Sequence, residues 1–158
     1  MVVSPAFTDR EIGFLKALVD EGVEFIVVGL AAAALQGVPA VTQGIDLWVK
    51  DRSAPAFQKA LRQVGASYLP ATESNPPLLV GGGADLFDLV VHMHGLDSFG
   101  QEAGRAVQVS IGPVEIPVLP LERIIASKAA VGRPKDRAIL PVLRDALQTL
   151  RNRDERED

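Results

Sequence analysis

The clearest hydrophobic pattern in the chain is an apolar run from Phe25 to Val28 that stops at Gly29. β-Branched residues dominate this run, which predicts a buried strand. Residues 30–36 are rich in alanine and favour a helix, which the glycine and proline just beyond them end. A second apolar run, residues 45–49, has Asp46 as its only charge and predicts a second strand.

Helical spacing of apolar residues, together with capping residues, predicts four more helices. They are a helix that opens with the capping box of Thr8 and Glu11, a helix from Ser53 as its N-cap to Val64, a helix over residues 121–131, and a last helix from Pro134 that Pro141 kinks.

Short apolar runs between glycines and prolines predict further strands. A glycine triplet, residues 81–83, predicts a hairpin turn, because it lacks the Lys and Ser/Thr that follow the glycines of a phosphate loop. The order of strands and helices predicts an α/β (α+β) fold, a mixed sheet flanked by helices. The additional strands are predicted at residues 67–69, 78–80, 86–93, 107–110 and 114–118.

The length of 158 residues predicts one domain over residues 1–150, with residues 151–158 as a charged, frayed tail. The chain has no cysteine, so a disulfide and a zinc–thiolate site are excluded. The N-terminus lacks the basic start and apolar run of a signal peptide. The longest apolar stretch is shorter than the ~20 residues of a membrane span, so we expect no membrane partner and a cytoplasmic protein.

Charge is unevenly spread, because residues 1–120 carry a net −6 and residues 121–153 a net +5. A basic segment beside an acidic body favours attraction of a polyphosphate or an RNA end. The alternative is a set of solvated helix faces with no partner.

The turn at Gly29 between a strand and a helix is a natural anion site, because free N–H groups and the helix dipole point toward it. Asp46 on the next strand can hold a cation near that anion. Phosphate and a divalent metal are the pair that this arrangement suits.

These segments resemble the signature of the nucleotidyltransferase superfamily, a hydrophobic-Gly-Gly/Ser turn followed by Asp-x-Asp on a strand. Here the turn reads Gly29-Leu30 and the second motif reads Thr-Gln-Gly-Ile-Asp-Leu over residues 42–47. The resemblance is nearest to the small bacterial minimal and abortive-infection (type IV toxin) members, where the motif reads Thr-x-Asp-Ile-Asp-Leu. It implies a polymerase-beta-like fold.

For function, the resemblance implies transfer of a nucleoside monophosphate from a nucleoside triphosphate to a hydroxyl of an RNA end or a protein. It also implies Mg²⁺ as cofactor and an antitoxin as partner. Gly44 stands where the family has its first aspartate, so a weakened magnesium site is expected. Asp46 and Asp88, from the Phe-Asp-Leu of residues 87–89, are implied as metal ligands and catalytic residues.

The resemblance extends to a C-terminal segment in which Lys128 and Arg133 lie near the nucleotide and Asp136 orients them. It implies Lys128 as a catalytic residue. It also implies that the nucleotide is bound by Gly29, Leu30, Thr42 and Arg133.

Several alternatives stay open. Asp46 and Asp88 could be lone acids on solvated strands, and Lys128 or Arg133 could simply form an ion pair with Asp136. The two histidines, His92 and His94, are interpreted as surface or hydrogen-bonded residues rather than a metal pair. The second functional hypothesis is a non-catalytic module that binds a nucleotide or a protein, which the substitutions in both motifs favour.

Overall fold

A computed structural model describes residues 7–40, 42–90 and 92–157. Residues 1–6, 41, 91 and 158 lie outside it. Residue 91 belongs to the strand predicted over residues 86–93, and residue 158 is the end of the predicted tail. In chain order the elements are α1 (Asp9–Asp20), β1 (Phe25–Val28), α2 (Gly29–Leu35), β2 (Ile45–Val49), α3 (Pro55–Val64), β3 (Ser67–Leu69), β4 (Leu78–Val80), β5 (Phe87–Val90), α4 (Phe99–Arg105), β6 (Val107–Ile111), β7 (Val114–Val118), α5 (Leu121–Val131) and α6 (Pro134–Glu157).

The main sheet has five strands in the order β5-β2-β1-β7-β6, and β3 and β4 form a separate antiparallel pair. β1 lies antiparallel to β2 and parallel to β7, while β2 and β5 are parallel. The predicted adjacency of β1 and β2 is confirmed, and so is the mixed sheet flanked by helices.

The two faces of the sheet have different coverings. Phe14 of α1 packs on Phe87 of β5 with ring centroids 5.0 Å apart, and α1 also packs against α3 and β7. α2 lies against β1, β2 and α5. Because neighbouring strand residues point to opposite faces, Asp88 lies on the face away from Phe14.

The cap of α3 and the length of β5 differ from the predictions. α3 begins at Pro55, because Ser53 forms a local turn in which its hydroxyl donates to Asp51 Oδ1 at 2.6 Å. β5 is shorter than the predicted residues 86–93, since its pairing with β2 ends at Val90 opposite Trp48.

The glycine triplet is not a hairpin turn. β4 pairs with β3 and β5 pairs with β2, so the triplet connects two sheets. All three glycines have positive φ, and a Cβ on Gly82 or Gly83 would clash with the backbone of Val64 or Arg10. The triplet therefore lets the chain pass close to α3 and α1.

Helix α4 was not predicted, because Gly100 and Gly104 lower the helix propensity of its seven residues. The helix is stabilised by a capping box at Ser98 and by an ion pair of its buried Glu102. Arg123 of α5 donates to both carboxylate oxygens of Glu102, at 2.9 and 2.6 Å, and these hydrogen bonds lower the pKa of Glu102 to about 2.

The segment predicted as a frayed tail continues α6 as a helix to Glu157. Its Arg, Asp and Glu residues are compatible with a helix, because oppositely charged side chains recur at i,i+4 spacing, as in Arg151 and Glu155. Among the residues that the structure describes, no helix has both the length and the apolar character needed to cross a membrane.

Candidate functional site

Two carboxylates lie side by side on the face of the sheet opposite α1. Asp46 of β2 and Asp88 of β5 are register partners on neighbouring parallel strands, so their side chains point the same way. Asp46 is half-buried and Asp88 is exposed. Burial raises the pKa of Asp46 and the charge of Asp88 raises it further, while Lys128 and Lys135 lower it. A bound cation would relieve this repulsion.

Two glycines border these carboxylates. Gly29 turns the chain from β1 into α2 with φ of 72°, and a Cβ added there would lie 2.7 Å from Asp46 Oδ2. A Cβ added to Gly44 would lie 2.6 Å from Asp88 Oδ2, and Gly44 is not one of the described glycines with positive φ. Any side chain at position 44 would therefore contact the carboxylate of Asp88 and require it to shift.

A buried aspartate between α5 and α6 holds both predicted cations. Arg133 donates through Nε to Asp136 Oδ2 at 2.6 Å, and Lys128 Nζ lies 3.5 Å from Asp136 Oδ1. Asp136 is 2% exposed, and chiefly the hydrogen bond from Arg133 lowers its pKa to about 2. Lys128 and Arg133 therefore both form the ion pair with Asp136 that was the alternative to a role in nucleotide binding. These ion pairs hold the two cations in position.

The carboxylate and the cations meet in a cleft of about 420 Å³. This volume lies within the usual range for small-molecule sites, about 300–1,000 Å³. Four of the predicted site residues line it, and Asp88 lies beside Asp46 on the neighbouring strand. The lining residues are Gly29, Asp46, Val90, His92, Met93, His94, Leu119, Ile124, Ser127, Lys128, Val131 and Arg133.

Two predicted nucleotide-binding residues, Leu30 and Thr42, are not among the described residues that line this cleft. The Thr42 hydroxyl donates to the carbonyl of Gly44 and shapes the entry to β2. Leu30 packs against the core.

The histidines and Lys135 were not among the predicted site residues. His92 and His94 are exposed and line the cleft, and Lys135 acts on the ionisation of Asp46. The available signal for the histidines was their position after β5, because His92 and His94 lie two and four residues beyond Val90.

No group of three or more His, Asp or Glu side chains among the described residues is arranged to hold a metal ion. Asp46 and Asp88 together are sufficient for Mg²⁺ only if phosphate and water oxygens complete its coordination, which is how this ion is commonly bound. The donor set of the cleft therefore fits a metal that arrives with a nucleotide.

Comparison with known proteins gives structural relatives only. No protein-family model matches the sequence, and no curated protein matches it significantly. The chain is similar to the solution structure of the antibiotic-resistance factor ANT(2'')-Ia, with 17% identity and a TM-score of 0.54 over 89% of this chain and 82% of that one. It is also similar to the crystal structure of ANT(2'')-Ia with adenylyl-2''-tobramycin, with 16% identity and a TM-score of 0.60 over 90% of each chain.

At these identities the likeness concerns the fold. The chain has the polymerase-beta-like fold of nucleotidyltransferases, which confirms the predicted fold class.

Proposed function

We propose that this protein is a nucleotidyltransferase that binds a magnesium–nucleoside triphosphate in the cleft and transfers a nucleoside monophosphate to a hydroxyl acceptor. One observation carries the proposal: the carboxylate of Asp46, beside Asp88, shares a single cleft with Lys128 and Arg133. Carboxylates next to cationic side chains suit a polyphosphate that binds together with a metal ion.

The chemistry divides between the two sides of the cleft. Mg²⁺, when bound with the nucleotide, would neutralise phosphate charge and orient the α-phosphate. Lys128 and Arg133, held by Asp136, stabilise charge that develops on the phosphates. Asp88 accepts the proton of the acceptor hydroxyl as its oxygen attacks the α-phosphorus and pyrophosphate leaves.

The proposal includes a weakened metal site. Gly44 has no side chain to offer beside Asp88, so metal affinity depends more on phosphate ligands. Residues 1–150 are proposed as one nucleotidyltransferase-like domain. The proposed acceptor is an RNA end or a protein hydroxyl. The proposed biological role is that of a cytoplasmic abortive-infection toxin with an antitoxin as its partner.

A second candidate is a non-catalytic module that binds a nucleotide or a protein. Gly44 favours it, and so does the pairing of both cations with Asp136, which leaves less free positive charge than two unpaired cations would.

A transfer assay separates the two candidates. The protein is incubated with Mg²⁺ and with each of the four ribonucleoside triphosphates, labelled at the α-phosphate. The acceptor in separate reactions is total RNA, a second purified protein or tobramycin. We expect labelled RNA or protein and release of pyrophosphate. The matched control is the Asp46→Asn/Asp88→Asn variant, with its folding checked by circular dichroism.

Binding of a triphosphate without label transfer to any acceptor would favour the module. Equal transfer by the wild type and the control variant would show that the carboxylates are not the catalytic groups. Label on tobramycin alone would replace the proposed acceptor class with the one bound in ANT(2'')-Ia.

A further inference from the structure

Most of the residues that line the cleft are not among those proposed to hold the phosphates or the metal. Beside the charged residues, the cleft is lined by Val90, Leu119, Ile124 and Val131 and by three consecutive residues, His92, Met93 and His94. Phosphate oxygens gain nothing from apolar walls, because they lose water there without a replacement hydrogen bond. A nucleobase is the part of a nucleotide that apolar and ring contacts stabilise.

The segment that carries the histidines is anchored on its C-terminal side. Gly95 has φ of 74°, and a Cβ there would clash with the Cβ of Ala130 on α5. Beyond it, the backbone N–H of Asp97 donates to the buried Glu102 at 2.8 Å. These contacts hold the backbone just after His94 against α5, next to the cleft that both histidines line.

The two imidazoles are available to a ligand. Both side chains are exposed, their ring centroids are 4.6 Å apart, and their planes are nearly perpendicular at 89°. Neither His92 nor His94 has a hydrogen bond or ion pair with another residue that the structure describes. The two rings contact each other edge to face, and because both remain exposed, they keep ring surface for stacking and ring nitrogens for hydrogen bonds with a flat heterocycle.

We propose that His92 and His94 bind the base of the nucleoside triphosphate and set the base preference of the protein. The inference rests on the proposed function, because the phosphates of the same molecule lie against Lys128 and Arg133. Met93, between the histidines, supplies an adaptable apolar contact to the base.

The test compares ligands with and without a base. Calorimetry measures the dissociation constants of the four ribonucleoside triphosphates and of inorganic tripolyphosphate, each with Mg²⁺, for the wild type, His92→Ala and His94→Ala. We expect each substitution to weaken binding of the preferred nucleotide by about 5- to 100-fold, the range for loss of one ring–base stack. Tripolyphosphate binding should stay unchanged. Gln108→Ala, an exposed truncation on β6, is the control.

Nuclear magnetic resonance gives an independent readout, because the chain has only two histidines. Their ring Cε1–H signals, one from each histidine and assigned with the single variants, should shift when the nucleotide binds and stay in place with tripolyphosphate. Both side chains are exposed, so thermal unfolding should be unchanged in the variants.

Two results would overturn the inference while leaving the proposed function intact: wild-type nucleotide affinity in both variants, or an equal loss for nucleotide and tripolyphosphate. A wild type that binds neither ligand would remove both proposals.

Discussion

Removing the charge of Asp136 is the most informative perturbation of the structure around the cleft. Asp136→Asn keeps the size of the side chain but leaves Lys128 and Arg133 without their shared carboxylate. Asp136 also accepts a hydrogen bond from the backbone N–H of Arg133, so it helps to cap the first turn of α6. We expect the substitution to destabilise the junction of α5 and α6.

The structure sets the size of the effect. Pairing lowers the pKa of Asp136 from 3.8 to about 2, which at about 1.4 kcal/mol for each pH unit amounts to about 2.5 kcal/mol. Lys128 is 19% exposed and Arg133 is 51% exposed, so solvent screens part of this energy. We therefore expect a loss of about 1.5–2.5 kcal/mol in unfolding free energy, or a fall in Tm of about 3–10 °C.

Thermal unfolding between pH 7 and pH 2 is the assay. Because the folded-state pKa of Asp136 lies below the unfolded value, its stabilisation is complete above pH 3.8 and is lost as the pH falls toward 2. The Tm difference between wild type and variant should therefore be largest at neutral pH and should shrink below pH 3.8. Glu102, whose pKa is also lowered to about 2, contributes equally in both proteins.

Asp20→Asn is the matched control, because Asp20 pairs with Lys16 on the exposed face of α1. Such pairs contribute about 0–1 kcal/mol. The reasoning is refuted if Asp136→Asn has no larger effect than Asp20→Asn, or if the Tm difference for Asp136→Asn does not change with pH.

Three further predictions concern the cleft. Gly44→Asp should strengthen magnesium-dependent nucleotide binding in calorimetry, and equally weak binding in both proteins would favour the non-catalytic module. Lys128→Ala or Arg133→Ala should weaken nucleotide binding by about 1.5–3 kcal/mol, more than Asp46→Ala does; unchanged binding together with equal losses of stability would make both cations purely structural. Asp46→Asn should raise Tm at pH 7 and lose this advantage near pH 3, because the raised pKa of Asp46 makes its ionised form costly in the folded state; a lower Tm at pH 7 would contradict this.

The parts of the site that lie on regular elements could be predicted from sequence. The resemblance to the nucleotidyltransferase signature implied that Asp46 and Asp88 share a site, and the register of β2 and β5 makes them neighbours. The apolar runs at residues 25–28 and 45–49 predicted β1 and β2, and the alanine-rich residues 30–36 predicted α2. These features depend on local periodicity, which a single sequence records.

The parts that depend on tertiary contacts could not be predicted. Helix α4 contains two glycines and persists because its buried Glu102 pairs with Arg123, 21 residues away in the chain. The close approach of Gly95, next to His94, to α5 leaves no periodic signal. The pairing of β3 with β4, rather than β4 with β5, reflects where the glycine triplet can pass.

The most direct test of the central claim is calorimetric titration of nucleoside triphosphate at several Mg²⁺ concentrations, with the wild type and the Asp46→Asn/Asp88→Asn variant. If the cleft holds a magnesium–nucleotide through these carboxylates, wild-type affinity will rise with Mg²⁺ and the affinity of the variant will not. The account is contradicted if the wild type does not bind, or if the variant keeps the same dependence on Mg²⁺.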